Sequence, residues 1–175
     1  MTKLTRNDWI EIGLKSLRDH GFTSLKADKL AKQNNVSRGS FYGYFQSIEA
    51  FHAAIFEGWL AQSEAIASEL ATQPNPEDKL IYLIDAAAKS DLPLERAIRS
   101  WAHLDANITE RVQEIDKFRI GILVDVLSLL LEDKQTARAR AKLLYASALG
   151  VAFLPKEYSG MNATDLSELK TLFGR

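Results

Sequence analysis

Apolar residues return every three or four positions through nearly the whole chain, and no segment alternates apolar and polar residues in twos. A helix gathers positions i, i+3, i+4 and i+7 on one side, whereas a half-buried strand needs period two, so the spacing confines the fold to packed helices. Residues 7–20 open the series. Trp9, Ile10, Ile12, Leu14 and Leu17 make its stripe, Asn7 is the expected cap, and Gly21 stands just past the end. A second helix is predicted at 25–33, with Leu25, Leu30 and Ala31 inward and Lys26, Lys29 and Lys32 outward. Asn34-Asn35 breaks it, because asparagine accepts the left-handed backbone of a tight turn; Val36 fills the corner and Ser37 caps a third helix.

A longer helix is expected from Ser47 to about residue 72, with Phe51, Ile55, Trp59, Gln62 and Ile66 at helical spacing. The Gln-Pro-Asn-Pro segment at 73–76 ends it and starts the next: Asn75 as cap, Pro76 at the first helical position, Glu77 and Asp78 in an acidic first turn. After a break at 90–93, helices are predicted over 94–103, about 108–131 and 135–153, with a last short one capped by Asn162. Residues 120–131 are apolar nearly all round and are expected at the centre. The expected fold is all-α with about nine helices. Three form a helix-turn-helix head at residues 1–46, and the rest form a larger helical body at 47–175.

Residues 37–45 carry the chemistry: Ser-Arg-Gly-Ser-Phe-Tyr-Gly-Tyr-Phe. As a helix they put Phe41 and Phe45 one turn apart, facing a core. The opposite arc holds Gly39 and Gly43, flanked by Ser40 and Tyr42, with Arg38 in the first turn. Each helical glycine costs roughly 0.5–1 kcal/mol against alanine, so close approach to this backbone is the expected compensation. A guanidinium, a hydroxyl and phenols around it suit a surface laid against nucleic acid. The same residues also fit a capped helix with incidental glycines in a scaffold packed only on itself. That alternative leaves the basic second helix and the glycine face unexplained.

Charge is uneven. Residues 1–50 hold eight Lys/Arg against five Asp/Glu, and residues 51–175 hold fourteen against eighteen, within a net charge of −1. A basic head on an acidic body suits a modest electrostatic contact made at one end and excludes indiscriminate coating of nucleic acid. The sequence has no cysteine, no apolar run approaching the ~18–20 residues of a membrane span, and a start unlike a signal peptide; the expected location is cytoplasmic, with no membrane partner.

Gly21-Phe22, Lys29-Leu30-Ala31, Val36-Ser37-Arg38-Gly39-Ser40-Phe41-Tyr42 and Tyr44-Phe45, followed by the start of the long fourth helix, resemble the tetracycline-repressor (TetR) family of transcriptional regulators. The motif resemblance covers about residues 9–55. The segments 96–102 and 137–146 also resemble a subset of such proteins. It implies a homodimer whose paired heads bind a palindromic operator on double-stranded DNA, and whose body binds a small-molecule effector of unknown identity. By position, it implies that Arg38, Ser40 and Tyr42 reach base edges or phosphates in the major groove, and that Tyr44 and Lys26 touch backbone on either side. Ser37, Gly39, Gly43 and Ser47 complete the expected DNA-binding set. Three positions depart from the family pattern: Asn35 stands where glycine is usual, Gly43 replaces a larger residue, and Ile48 replaces a phosphate-gripping lysine or arginine. Free N–H groups around Ser47 are expected to hold a phosphate instead, with a shallower salt dependence than fully basic members show.

Small residues at 137–152 allow a close helix approach. Leu143, Leu144, Ala148 and Val151 are expected to pack with Leu166, Leu169, Leu172 and Phe173 against their two-fold copies. Trp59, Tyr82, Trp101, His103 and Phe118 are the expected walls of an effector pocket, although helical spacing equally makes such residues ordinary core. His20, His52 and His103 lack metal-site spacing, and no nucleophile motif, phosphate loop or acid–base pair is evident, so no metal, cofactor or enzymatic activity is expected. The rival to a regulator is a helix-turn-helix-derived interaction protein with weak or no sequence-specific DNA binding.

Overall fold

The computed structural model describes residues 4–155, 157–158 and 160–173. Among them are nine α-helices and no strand: α1 Arg6–His20, α2 Ala27–Gln33, α3 Arg38–Tyr42, α4 Ile48–Leu70, α5 Pro76–Ala88, α6 Leu92–Ala102, α7 Ala106–Leu130, α8 Lys134–Val151 and α9 Ala163–Phe173. A single 3₁₀ turn, Phe22–Ser24, joins α1 to α2. The chain forms two compact units, one of Met1–Ala65 with Pro93–Asp105, the other of Ile66–Leu92 with Ala106–Arg175.

In the first unit α1 starts one residue before its expected position. Asn7 is not its cap. Thr5 is: its hydroxyl accepts from the Asp8 N–H (3.2 Å) while the Asp8 carboxylate accepts from the Thr5 N–H (2.7 Å). Two reciprocal bonds satisfy more of the open helix end than one asparagine could. The Thr5 N–H and then the Thr5 hydroxyl (2.8 Å), both donating to the carboxylate, hold the Asp8 carboxyl below its usual range. Gly21 ends α1 at φ +73°, donating its N–H to the Leu17 carbonyl. Leu25, expected inside α2, instead lies buried at the end of the 3₁₀ turn, and Lys26 takes the extended N-cap position.

Aromatic rings fasten α1, α3 and the start of α4. Phe41 is fully buried, with ring centroids 5.3 Å from Trp9, 5.2 Å from Phe45 and 5.0 Å from Phe51. Gly13 lets α1 cross α4 closely, since a Cβ there would lie 2.0 Å from Ile55 Cδ1 and 2.7 Å from Phe51 Cζ. The Ser24 hydroxyl accepts from that of Ser16 (2.8 Å) and shares its proton between the carbonyls of Gly21 and Ser16 (2.7 and 2.9 Å). Trp101 on α6 stacks on Phe22 (4.8 Å) and meets His52 edgewise (5.5 Å). The His52 Nε2 lies 3.0 Å from the Leu25 carbonyl, which only accepts, so this nitrogen carries the proton.

In the second unit Leu80 and Ile84 of α5, Leu123, Val126 and Leu127 of α7, and Ala137, Ala141 and Leu144 of α8 form one core. The alanines let α8 lie close to α7. Asn75 and Pro76 start α5 as expected, and Asn162 accepts from the N–H groups of Thr164 and Asp165 at the head of α9. Two polar ties cross this core. Tyr145 donates to Asp116 (2.5 Å), and burial followed by that carboxylate pushes the phenol up to about 12. Lys170 on α9 pairs with Asp85 on α5 at 2.7 Å. The run at 120–131 is central on one side only: Leu123, Val126 and Leu127 are buried, whereas Leu129 is exposed. A sequence apolar all round cannot indicate which side a neighbour covers.

Candidate nucleic-acid interface

The turn between α2 and α3 is held at every step. Asn34 donates its side-chain amide to the Leu30 carbonyl (2.8 Å), Asn35 sits at φ +54°, and the Val36 N–H reaches the Ala31 carbonyl (3.0 Å). Asparagine fits at 35 because its short polar side chain tolerates that left-handed backbone. The Ser37 hydroxyl then accepts from the Ser40 N–H (3.2 Å) and caps α3, which runs only from Arg38 to Tyr42.

Phe41 and Phe45 face inward and fix the roll of this helix. Opposite them Arg38, Gly39 and Gly43 are exposed, Ser40 is half-buried, and Tyr42 is 41% exposed. Nothing in the chain demands either glycine. A Cβ on Gly39 would meet only the Ser37 hydroxyl at 3.7 Å, and one on Gly43 would meet the Gly39 and Ser40 carbonyls at 3.5 Å, both ordinary contacts. Gly13, pressed against Ile55 and Phe51, is the opposite case.

Arg38 is oriented from two sides. Its Nε pairs with Asp28 on α2 at 3.0 Å, its guanidinium carbon lies 5.2 Å from the Tyr42 ring centroid, and Nη2 donates to the Tyr42 hydroxyl at a long 3.4 Å. Tyr42, and after it Asp28, hold the guanidinium above its already high value, so it is charged at every working pH. Lys26, at the N-cap of α2, and Lys29 and Lys32 on α2 are exposed, Tyr44 is half-buried beyond α3, and Arg6 lies over the Phe45 ring at 5.4 Å.

Ser47 caps α4 by accepting from the Ala50 N–H (3.1 Å). The Glu49 carboxylate also occupies this helix end, held below its usual range by its own backbone N–H and then by the Ser47 hydroxyl. Asp28 and Glu49 were the residues missed from the sequence. Neither has a motif signal, because an acidic residue in a first turn ordinarily serves the helix dipole alone.

The expected effector walls are distributed between the two units. In the first, Trp59 is buried near Phe56 (5.3 Å), Trp101 is buried against Phe22, and His103 is exposed beyond the end of α6. In the second, Tyr82 donates to Glu69 (2.8 Å) and Phe118 is 47% exposed. A cleft in that unit, lined by residues including Ala87, Leu92, Ala148 and Met161, has a volume of about 10 Å³, room for about one water. Among the described residues no group of three His, Asp or Glu is placed to hold a metal, and no helix is long and apolar enough to cross a membrane.

The expected two-fold surface is only partly turned outward. Leu144 is spent in the core of its own unit, and Ala148, Val151 and Leu169 are half-buried, while Leu143 and Leu172 are 61% and 63% exposed. The open face of α8 is displaced by one residue from the expected one: Ala139, Leu143, Ala146 and Gly150 are all exposed and follow a spacing of four, three and four.

Residues 10–55 match the model of the bacterial regulatory proteins of the tetR family. Proteins of curated function give no match. Among solved structures, a TetR/AcrR-family transcriptional regulator superposes with a TM-score of 0.78 at 21% identity, covering 97% of this chain and 98% of that one. A TetR/AcrR regulator from Thermobifida fusca YX-ER1 gives 0.70 at 15% identity (97% and 96% covered). A TetR regulator from Haloarcula marismortui ATCC 43049 gives 0.69 at 18% (95% and 94%). At these identities the likeness is one of fold, and it spans both units. Residues 10–55 thus match the helix-turn-helix segment of the tetR family, and the whole length shares the fold of the TetR/AcrR-family regulators.

Proposed function

We propose that the chain is a ligand-responsive repressor that binds a palindromic operator as a homodimer. Its head at 1–46 meets DNA, and its body at 47–175 dimerises and takes the effector. The observation that carries this reading is the bare arc of α3: two glycines the fold does not require, bordered by Arg38, Ser40 and an exposed Tyr42. Lys26, Ser37, Tyr44 and Ser47 flank that arc as backbone contacts. A phosphate arriving at Ser47 has to displace the Glu49 carboxylate, which with Ile48 keeps the salt dependence shallow.

Selection of bound duplexes from a random pool tests the proposal. A recovered palindrome with half-sites about one DNA turn apart, ~34–36 Å, or a multiple of it, supports it. Binding to random duplex that ignores salt between about 50 and 200 mM would favour the interaction-protein reading instead. Effector action then requires differential affinity for the DNA-competent and incompetent states, because a ligand that binds both equally shifts nothing.

Gly43→Ala isolates the role of the bare arc. Gly43 has helical dihedrals (φ −69°, ψ −19°), so the added methyl leaves stability unchanged or raises it by about 0.5–1 kcal/mol. Operator affinity is expected to fall at least tenfold, read by fluorescence anisotropy. Equal affinity would make the glycine incidental.

The two-fold surface is assigned to the open stripe of α8 with Leu172 of α9. Leu143→Asp alters a side chain already in water, so the subunit stays folded. Sedimentation is expected to show the mass fall to that of one 19.6 kDa chain, with operator binding lost. A persistent dimer would move the interface elsewhere.

A further inference from the structure

We infer that Asp28 is a positioning residue for base readout: by engaging the Nε of Arg38 it aims the guanidinium so that the two terminal amino groups read a guanine in each half-site. This rests on the DNA-binding reading above.

Three constraints act on one side chain. The Asp28 carboxylate lies 3.0 Å from Nε, the Tyr42 ring faces the guanidinium with its centroid 5.2 Å from the guanidinium carbon, and Nη2 touches the Tyr42 hydroxyl at a long 3.4 Å. A guanidinium has five N–H donors in a rigid fork. Asp28 takes the one on Nε, and the contact to Tyr42 takes at most one more, a weak one. The end-on donors of Nη1 and Nη2 are left, and these are the donors that match O6 and N7 of guanine side by side in the major groove.

The pair does not exist for stability. Both side chains are exposed, and exposed ion pairs contribute little to folding. An acidic group on a DNA-facing surface is moreover a liability, since it repels phosphate. What it supplies is direction. Arginine is long and has many rotamers, and an unrestrained one loses that freedom only on reaching its base. Held by Asp28 and Tyr42, Arg38 has lost much of it before DNA arrives. Asp28 sits in the first turn of α2 and Arg38 in the first turn of α3, so the turn at 34–37 that fixes the two helices also fixes this pair.

Two effects of removing Asp28 therefore oppose each other and can be separated. Loss of a negative charge raises affinity for every duplex. Loss of positioning lowers affinity only where a guanine is read. The test selects duplexes with the wild type, then measures the selected operator, operators substituted at each position, and random duplex, for wild type, Asp28→Ala, Asp28→Asn, Arg38→Lys and the Asp28→Ala/Arg38→Lys pair. Thermal melts confirm folding, with Asp28→Asn keeping the side-chain volume while removing the charge. The expected result is a guanine required in each half-site by wild type. Asp28→Ala and Asp28→Asn should lower the preference for it about tenfold per half-site, with affinity for random duplex unchanged or higher. The pair should discriminate no worse than Arg38→Lys alone, because both changes remove the same contact. A uniform rise in affinity with the guanine preference intact would overturn the inference and leave the regulator reading standing, as would additive losses in the pair or a palindrome with no required guanine. Failure of wild type to select any sequence would remove both.

Discussion

Phe41→Ala unfolds the helix-turn-helix head at temperatures where the wild type is intact. Phe41 is the meeting point of Trp9, Phe45 and Phe51, with centroids 5.0–5.3 Å away and no exposure to water. Truncating a buried phenylalanine to alanine costs about 3–5 kcal/mol, the lost transfer energy plus the cavity left behind. Against a typical total of about 5–15 kcal/mol that is a large fraction, and the expected fall in Tm is about 10 °C or more. Far-ultraviolet circular dichroism during urea unfolding measures the loss, since the head is helical. A loss below about 1 kcal/mol would show that the surrounding rings close over the gap and that Phe41 is not the hub of the head.

Tyr42→Ala, one residue further on, has the reverse profile: operator binding is lost while the fold survives. Tyr42 is 41% exposed, and its intramolecular ties are an edge contact to Phe41 (5.2 Å) and the Arg38 guanidinium above its ring. Removing it takes away a proposed DNA contact and also frees Arg38 from its platform. In a two-fold complex each loss occurs twice, so a tenfold deficit per half-site becomes about a hundredfold overall. The measurement is an operator titration beside a thermal melt and a sedimentation run. Unchanged affinity would take Tyr42 out of the site; loss of affinity together with loss of folding would make it a core residue instead. The two variants divide α3 cleanly, because adjacent helical residues point about 100° apart and only one of the pair faces water.

The head was largely legible before any coordinates, and the reason is local. Ser37 as cap, Asn35 in the left-handed turn, Gly21 past α1 and the Phe41/Phe45 pair each follow from interactions within a few residues. Where a nearby competitor existed, local reading chose the wrong one. Asn7 lost the α1 cap to Thr5 because Asp8 could close the box from the other side. The body was legible in element order and not in facing. Leu144 was expected on the two-fold surface beside Leu143, yet Leu144 joins the core with Ala137 and Ala141 while Leu143 stays outside. On alanine-rich α8 the small residues occur on several sides at once, so the stripe has no unique edge and a one-residue shift goes unnoticed. Leu129 on α7 shows the same ambiguity, an apolar residue left outward by a run apolar all round.

The order of helices, most of their caps and breaks, and the inward-facing Phe41 and Phe45 of α3 were settled by the sequence itself, since each depends on neighbours a turn or two away. Three-dimensional packing alone decided which faces were covered, that Asp28 would reach Arg38, and that Glu49 would sit on the end of α4. Those outcomes depend on residues from separate helices, or on which of several local partners a side chain takes once its helix is anchored. No periodicity within one helix encodes that choice.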